Sequence, residues 1–488
     1  MENSKKQQAI AALDAAVAVE FAGSKRFEKA QQFIQSCLAN TSSYGDLKLP
    51  FAGPHFFCSF TFFENNQTAE SPFPPATIFL PRWQVSCCQN SCLLVANITI
   101  DPQVNLDWIW ESFRSQLQII TQSSRKIFLI PEQKAEPTPS PSQEGNRRQN
   151  PPLTPPRRGN GGRGQEAEPT LNLSQEGNRR QKVEIKDELL AEHDITPDNP
   201  SMLLNGRGHL PVQSEASFKS SVISALKSIQ THQLSKIVLA NAIDVVSPRQ
   251  FKLVNSLDSL RHNYPDCYIF SISNGKGQNF IGASPECLVS IQNRQLVTDA
   301  IAGSAPRGKT AAEDADLAQR LLCSEKERRE HRFVLDFIIK CLSELGLNPQ
   351  VELTNQLLQL SNIQHLWTPI KAQLLKDIHP LEIVAKLHPT PAVAGVPTKM
   401  AQEQILALET FDRSLYAAPL GWVDYQGNCE FIVGIRSALI ESTQPLSESW
   451  QTCRARLYAG AGIVAGSDPN KELAEIQLKF QALLKTLL

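Results

Sequence analysis

The feature that most limits what this chain can fold into is a break in composition. From about residue 131 to 205 it turns to Pro, Gly, Gln, Glu and Arg, running PSPSQEGNRRQNPPLTPPRRGNGGRGQ and repeating SQEGNRRQ at 142–149 and 174–181. Such a stretch holds too little apolar surface to offset the chain entropy lost on ordering. Residues 131–205 are therefore expected to be a disordered low-complexity insertion, a tolerated loop expansion. Residues 1–130 and 214–488 are left to build the folded protein.

Overall the chain is 41% hydrophobic and 20% charged, with a net charge of -1 at pH 7. That balance gives no electrostatic reason to bind nucleic acid or an anionic membrane. No run of about 18 apolar residues suggests a membrane span. The first residues are rich in Ala and Val but interrupted by Asp14 and Glu20, unlike the core of a secretory signal. A cytoplasmic protein is expected. Eleven cysteines, odd in number and scattered, argue against a disulfide framework. Cys87, Cys88 and Cys92 cluster without a second pair, so they read as buried or edge thiols and not as zinc ligands.

Residues 1–130 suggest an amino-terminal part of the scaffold, with strands at 56–63 and 76–81, a continuation at 83–85, and a helix over 106–119. Residues 214–488 read as one α+β unit. Strand-like runs fall at 237–245, 267–273, 287–292, 421–423 and 430–440, and amphipathic helices at 217–231, 310–345 and 470–487. The hairpin-like spacing at 424–428 favours antiparallel pairing.

The chain ends in YAGAGIVAGSDPNKELAEIQLKFQALLKTLL. A glycine-rich turn is expected at Ala459-Gly460-Ala461-Gly462, where backbone N–H groups approach a ligand. Asp468 and Pro469 then have the chemistry of a helix start. On that helix Glu472, Glu475 and Lys479 share one face by their spacing. The helix over 310–345 carries a second E-x-x-E pair, Glu327 and Glu330. Taken singly, each pair is also what a solvated charged face looks like. Taken together, two such helices can form an oxygen-only cation site of the kind that suits Mg²⁺. His331 points away from Glu330 and is expected to pack or hydrogen-bond.

Three lone charges sit in apolar runs. Lys236 lies in LSKIVLA, where desolvation disfavours an ammonium and frees a general base, unless the side chain snorkels to solvent. Glu286 lies in FIGASPECL, where burial keeps a carboxyl protonated as a general acid needs; capping or a salt bridge is the alternative. Arg436 lies in VGIRSA, placed in a strand and suited to bidentate carboxylate binding. Ile301–Gly308, with Gly303 and Ser304, is expected to be a tight turn of small residues. His388 sits in a proline-framed loop, LHPTPA.

In order, SKIVLA, FIGASPE, AIAGSAPRG, SEKERREH, LHPTPAVAG, GWVD, FIVGIRSA and YAGAGIVAGSDPNKELAEIQLK resemble the chorismate-utilising enzymes, and within them the isochorismate synthases. The resemblance runs over 214–488; the amino-terminal third is only generally similar. It implies large antiparallel sheets packed face to face with helices outside, in α/β/α layers, and a Mg²⁺-dependent conversion of chorismate to isochorismate. Carried over by motif, Lys236 would activate the attacking water and Glu286 would protonate the departing 4-hydroxyl. Glu330 and Glu475 would hold Mg²⁺ directly, with Glu327 and Glu472 beside or behind them. Arg436, Lys479 and the backbone at Gly460, Ala461 and Gly462 would bind the substrate's anionic ends, with Gly303, Ser304 and His388 completing the substrate site.

Lys236 resembles the water-using members, and the alanine in Ala300-Ile301-Ala302-Gly303-Ser304 resembles isochorismate-type members. Asn241 stands where relatives usually have arginine. A salicylate synthase, which goes on to eliminate pyruvate, is the nearest rival. A catalytically silent relative would be expected to have lost Lys236, Glu286 or a metal glutamate, and all are present. The resemblance also implies a monomer without a glutamine amidotransferase subunit, serving quinone, siderophore or salicylate biosynthesis. If 131–205 is a tolerated insertion, deleting 135–183 leaves the far-UV circular dichroism and the turnover within about twofold of the intact chain.

Overall fold

A computed structural model describes residues 1–68, 71–89, 91–100, 106–127, 208–247, 249–351, 356–375, 377–442 and 453–487. The insertion expected at 131–205 lies outside the described residues. One compact unit comprises Met1–Thr99 together with Pro197–Leu488. The helix Leu106–Ile127, expected to join the amino-terminal scaffold over 1–130, belongs instead to a second unit, Ile100–Thr196. Within it Trp110 stacks on Phe113.

Nineteen described strands form one hydrogen-bonded network. Every described pairing is antiparallel, as expected for an α+β protein of this class. One run passes from Ile363–Gln373 through Gln295–Pro306, Cys287–Gln292, Cys429–Val433 and Pro419–Asp424 to His55–Phe60. It continues through Ala76–Cys88 to Gln8–Phe21. A second run passes from Tyr268–Ser273 through Gln278–Ser284, Ser437–Ser442 and Cys453–Val464 to Lys236–Ser247. The two-residue strand Glu2–Asn3 pairs with Gln8–Phe21 on one side and Tyr268–Ser273 on the other, joining the runs. Strands within residues 1–99 thus belong to the same sheet as the strands of 208–464.

Burial explains the strand composition. Strands with one wet face alternate apolar and polar residues, whereas strands covered on both faces do not. Lys236–Ser247 is buried almost throughout. Helix Glu215–Gln230 packs on it and on Cys453–Val464, helix Pro469–Leu487 packs on Cys453–Val464, and Ala311–Cys323 and Glu325–Glu344 pack on Gln295–Pro306 and Ile363–Gln373. Side chains from both runs and from helices Glu215–Gln230, Glu325–Glu344 and Pro469–Leu487 merge into one hydrophobic core.

Several expectations are corrected. The helix expected over 310–345 is two, Ala311–Cys323 and Glu325–Glu344, because Ser324 adopts an extended backbone and its hydroxyl accepts from the Glu327 N–H as an N-cap. The strand expected over 430–440 breaks between Cys429–Val433 and Ser437–Ser442. Arg436 therefore sits in the link, not in a strand, with φ of 50°. Ile301–Gly308 is no turn: most of it is the end of strand Gln295–Pro306, bulged at Gly303, whose φ is 78°. Ala459–Gly462 is likewise strand, inside Cys453–Val464. Small residues there read as a turn from sequence but are strand residues that other groups approach closely. Cys87 and Cys92 face each other across a hairpin and are joined by a disulfide, while the other nine cysteines are free. It is one local cross-link and not a framework.

The strand that begins at Lys236 is anchored by a buried ion pair. Arg413, 0% exposed, donates to the Val238 carbonyl at 2.9 Å, to the Val393 carbonyl at 2.9 Å and to Glu409. Glu409 in turn accepts from the Ala240 N–H at 2.8 Å. Removing one member leaves the other charge buried and alone. Arg413→Ala is expected to lower stability by about 3–5 kcal/mol, read from the urea midpoint, because Glu409 is stranded.

Candidate active site

Helix Glu325–Glu344 begins at its serine cap, so Glu327 and Glu330 fall in its first two turns and face the sheet. Helix Pro469–Leu487 begins where expected, with Asp468 accepting from the Asn470 and Lys471 N–H groups at 2.9 and 3.0 Å. That start points Glu472, Glu475 and Lys479 at the same place. The four carboxylates lie near one another: Glu327 interacts electrostatically with Glu330 and Glu475, and Glu472 with Glu475.

Such crowding has a cost that lysines offset. Lys236, fully buried at the start of its strand, places Nζ 3.0 Å from Glu330 Oε1. Lys326 lies 2.9 Å from Glu472 and 3.6 Å from Glu327. Lys479 lies 2.7 Å from Glu475 and also donates to the Gly460 carbonyl at 2.7 Å. Burial alone would raise the Glu330 pKa, but Lys236, Lys326 and Lys479 outweigh it and hold the carboxyl below its ordinary range. Glu327 lacks that protection. Burial, then Glu330, push it up to about 7, against Lys326 and the Ser304 N–H, which donates to it at 3.1 Å.

These groups border a cavity whose wall includes Glu286, Ser304, Glu330, Arg436, Glu475 and Lys479. Gly303, Gly460 and Gly462 also line it. Gly460 and Gly462 face the cavity, whereas Ala461, one residue out of phase, is buried on the other face. A side chain at Gly460 would meet the Tyr416 hydroxyl at 2.8 Å, and one at Gly462 would collide with the Glu330 carboxylate. Glycine is needed at both for close approach.

Glu286 lies in the short link between Gln278–Ser284 and Cys287–Gln292, its N–H donating to Ser284 Oγ. Its carboxyl is raised to about 8, first by burial and then by Asp299, against the pull of Lys236. It is therefore a protonated acid at neutral pH on the cavity wall. Of the expected site residues, Ala461 and His388 are not brought to this place, Ala461 because it lies on the opposite face of its strand. The His388 imidazole is buried beside Phe62, 3.4 Å from its carbonyl, with its pKa pushed down to about 3, and does not line the cavity. Lys236, Glu327 and Glu472 stand behind the wall through the contacts just given. His331 bonds Thr368 at 2.8 Å, as its orientation implied. The Asn241 side chain bonds its own strand, accepting from the Ala242 N–H.

Sequence reasoning missed His365, Tyr416 and Lys326. Arg436 donates to His365 Nε2 at 2.9 Å, so the imidazole proton sits on Nδ1, 3.0 Å from Ser304 Oγ. Burial, then Arg436 and Lys479, hold His365 neutral, well below its usual range. Its only signal in the chain was a single histidine within Ile363–Gln373.

Among the described residues no three carboxylate, imidazole or thiolate groups are arranged to hold a metal ion. The donor chemistry nevertheless fits a hard divalent cation. The carboxylates are oxygen-only, and the like charges that raise Glu327 are what such an ion would relieve.

A family model for chorismate binding enzymes matches residues 1–148 and 168–488, including the amino-terminal third. Isochorismate synthase DhbC of Bacillus subtilis is 36% identical over 284 residues, 57% of this chain and 69% of that protein. The salicylate biosynthesis isochorismate synthase of Pseudomonas aeruginosa is 35% identical over 295 residues, 60% of this chain and 58% of that protein. The solved structure of MenF, the menaquinone-specific isochorismate synthase of Escherichia coli, superposes with a TM-score of 0.64 at 22% identity, over 100% of this chain and 87% of that one, and so shares the fold.

Proposed function

This chain belongs to the family of chorismate-binding enzymes, and from that premise we propose that it converts chorismate to isochorismate. The observation that carries the reading is one cavity whose wall holds a protonated acid, Glu286, and Glu330, with the buried Lys236 paired to Glu330 behind that wall. Addition of water at ring carbon 2 and loss of the 4-hydroxyl need a base for the incoming water and an acid for the departing group. Lys236 meets Glu330 as an ammonium; once that proton has passed to solvent, the free amine takes the water proton. Glu286 gives its proton to the leaving oxygen as the ring double bonds shift. One water enters and one leaves, so the reaction is an isomerisation.

Chorismate is a dianion, and Arg436, Lys479 and Ser304 are the donors on the wall that suit its carboxylates. The neutral His365 keeps the Arg436 guanidinium aimed and commits the Ser304 hydroxyl proton elsewhere than the imidazole. Mg²⁺ is proposed as cofactor, held by Glu330 and Glu475 with Glu327 and Glu472 beside or behind them, and it would neutralise charge on the bound ring carboxylate. We assign the product to quinone, siderophore or salicylate biosynthesis. No helix of the described residues is long and apolar enough to cross a membrane.

Chorismate incubated with the protein and Mg²⁺, without ammonia, is expected to give isochorismate in equilibrium with chorismate and little pyruvate, followed by chromatography. Stoichiometric salicylate and pyruvate would instead identify a salicylate synthase, and no conversion a silent relative. Lys236→Ala is expected to lower kcat by at least about a hundredfold while chorismate still binds. Because Glu286 must carry its proton, activity is present below its pKa and lost above it. The kcat/KM profile should fall about tenfold per unit above pH about 8. A profile flat to pH 10 removes Glu286 as the acid.

A further inference from the structure

Of the three ammonium groups that meet the four carboxylates, Lys236 and Lys479 have work in the proposed reaction and Lys326 has none. Lys326 does not line the cavity. It is the second residue of helix Glu325–Glu344, reaching across to helix Pro469–Leu487 to meet Glu472 at 2.9 Å and lying 3.6 Å from Glu327. The Glu472 side chain is only 3% exposed and the Lys326 side chain 33%. The lysine is thus the more solvated partner of a carboxylate that has almost no water of its own.

We propose that Lys326 is a resident counter-charge of the carboxylate cluster that competes with the divalent cation and so sets its affinity. The inference rests on the Mg²⁺ reading above. With all four carboxylates ionised, three ammonium groups leave the cluster one charge short of neutral, and a divalent cation carries it one charge past. Without Lys326 the cluster stands two charges short, which one divalent cation cancels. A cation held by these carboxylates would also meet Lys326 as a like charge in a poorly hydrated place, where repulsion is strong. Lys326 therefore stabilises the cluster before the cation arrives and weakens the cation's hold afterwards. The arriving dianionic substrate restores the negative charge, so retention of the cation is tied to occupancy of the cavity.

The test is calorimetric titration of the substrate-free protein with Mg²⁺ at low salt, for the wild type, Lys326→Gln and Lys326→Arg. The Gln variant is expected to bind about tenfold more tightly, with the Arg variant within about twofold of the wild type. In chelator its thermal midpoint should fall below the wild type's, and the rise in midpoint on adding Mg²⁺ should be larger. A Lys326→Gln chain that folds only when Mg²⁺ is supplied, read by circular dichroism, supports the proposal. One that stays unfolded with Mg²⁺ overturns it, because the cation then cannot replace the lysine. Wild-type binding with equal or weaker binding in the Gln variant overturns this inference alone and makes Lys326 a tether between helices. Equal tightening in the Arg variant also overturns it, since charge is then not the cause. No binding heat in any of the three proteins overturns the inference and the cofactor reading together.

Discussion

The constraint on which this structure depends is that four glutamates must share one poorly hydrated place. Carboxylates gathered that closely repel one another and lose water, and either effect alone would protonate them. The chain meets the constraint with three lysines drawn from different elements: a strand start, a helix start and the middle of the last helix. Glu330 shows the result. It is buried, yet three ammonium groups hold its carboxyl charged, whereas Glu327, only a turn away, is pushed up to about 7. The arrangement is an electrostatic frame before it is a binding site.

The antiparallel sheet makes that frame possible. Lys236 opens one strand, and the neighbouring strand carries Gly460 and Gly462 in register with Ala240 and Val238. The two glycines leave room for Tyr416 and for Glu330 to lie against the backbone. Arg413 and Glu409 then fix the first turn of the Lys236 strand from behind, through its own carbonyl and N–H groups. The amino-terminal segment adds length to the same sheet. It also reaches the core directly, where Lys6 pairs with Glu430, to which the Tyr268 hydroxyl donates at 2.9 Å.

Some of this was legible in the chain. The E-x-x-E pairs announced themselves because helical spacing alone sets which side chains share a face, and Asp468-Pro469 marks a helix start by local chemistry. Lys236 and Glu286 stood out as charges with no sequence neighbours to pair with. Where long-range packing decides, the reading failed. Ala459–Gly462 and the Gly303 segment looked like turns because small residues usually serve turns; here they serve close approach by Glu330, Tyr416 and Glu327. Ser324 was hidden inside a helical pattern whose apolar period continues across the break. The left-handed backbone of Arg436 has no local signature, and the pairing of Cys87 with Cys92 depends on a hairpin register that composition does not fix. His365 and Lys326 acquire meaning only from partners 71 and 146 residues away.

One cavity wall holds two glutamates in opposite protonation states. Glu286 and Glu330 are the same residue type, both buried, both on the wall, yet one is raised to about 8 and the other held below its usual range. Desolvation is common to both and cannot separate them. What differs is company. Glu330 has Lys236 in contact and two further ammonium groups in reach, while Glu286 has Asp299 behind it and only a weaker pull from Lys236. Pairs of titratable groups driven apart in this way are how a site performs acid and base chemistry at one pH. The separation is carried by the lysines, so neutralising any one of them alters the carboxylates it serves before it alters the shape of the cavity.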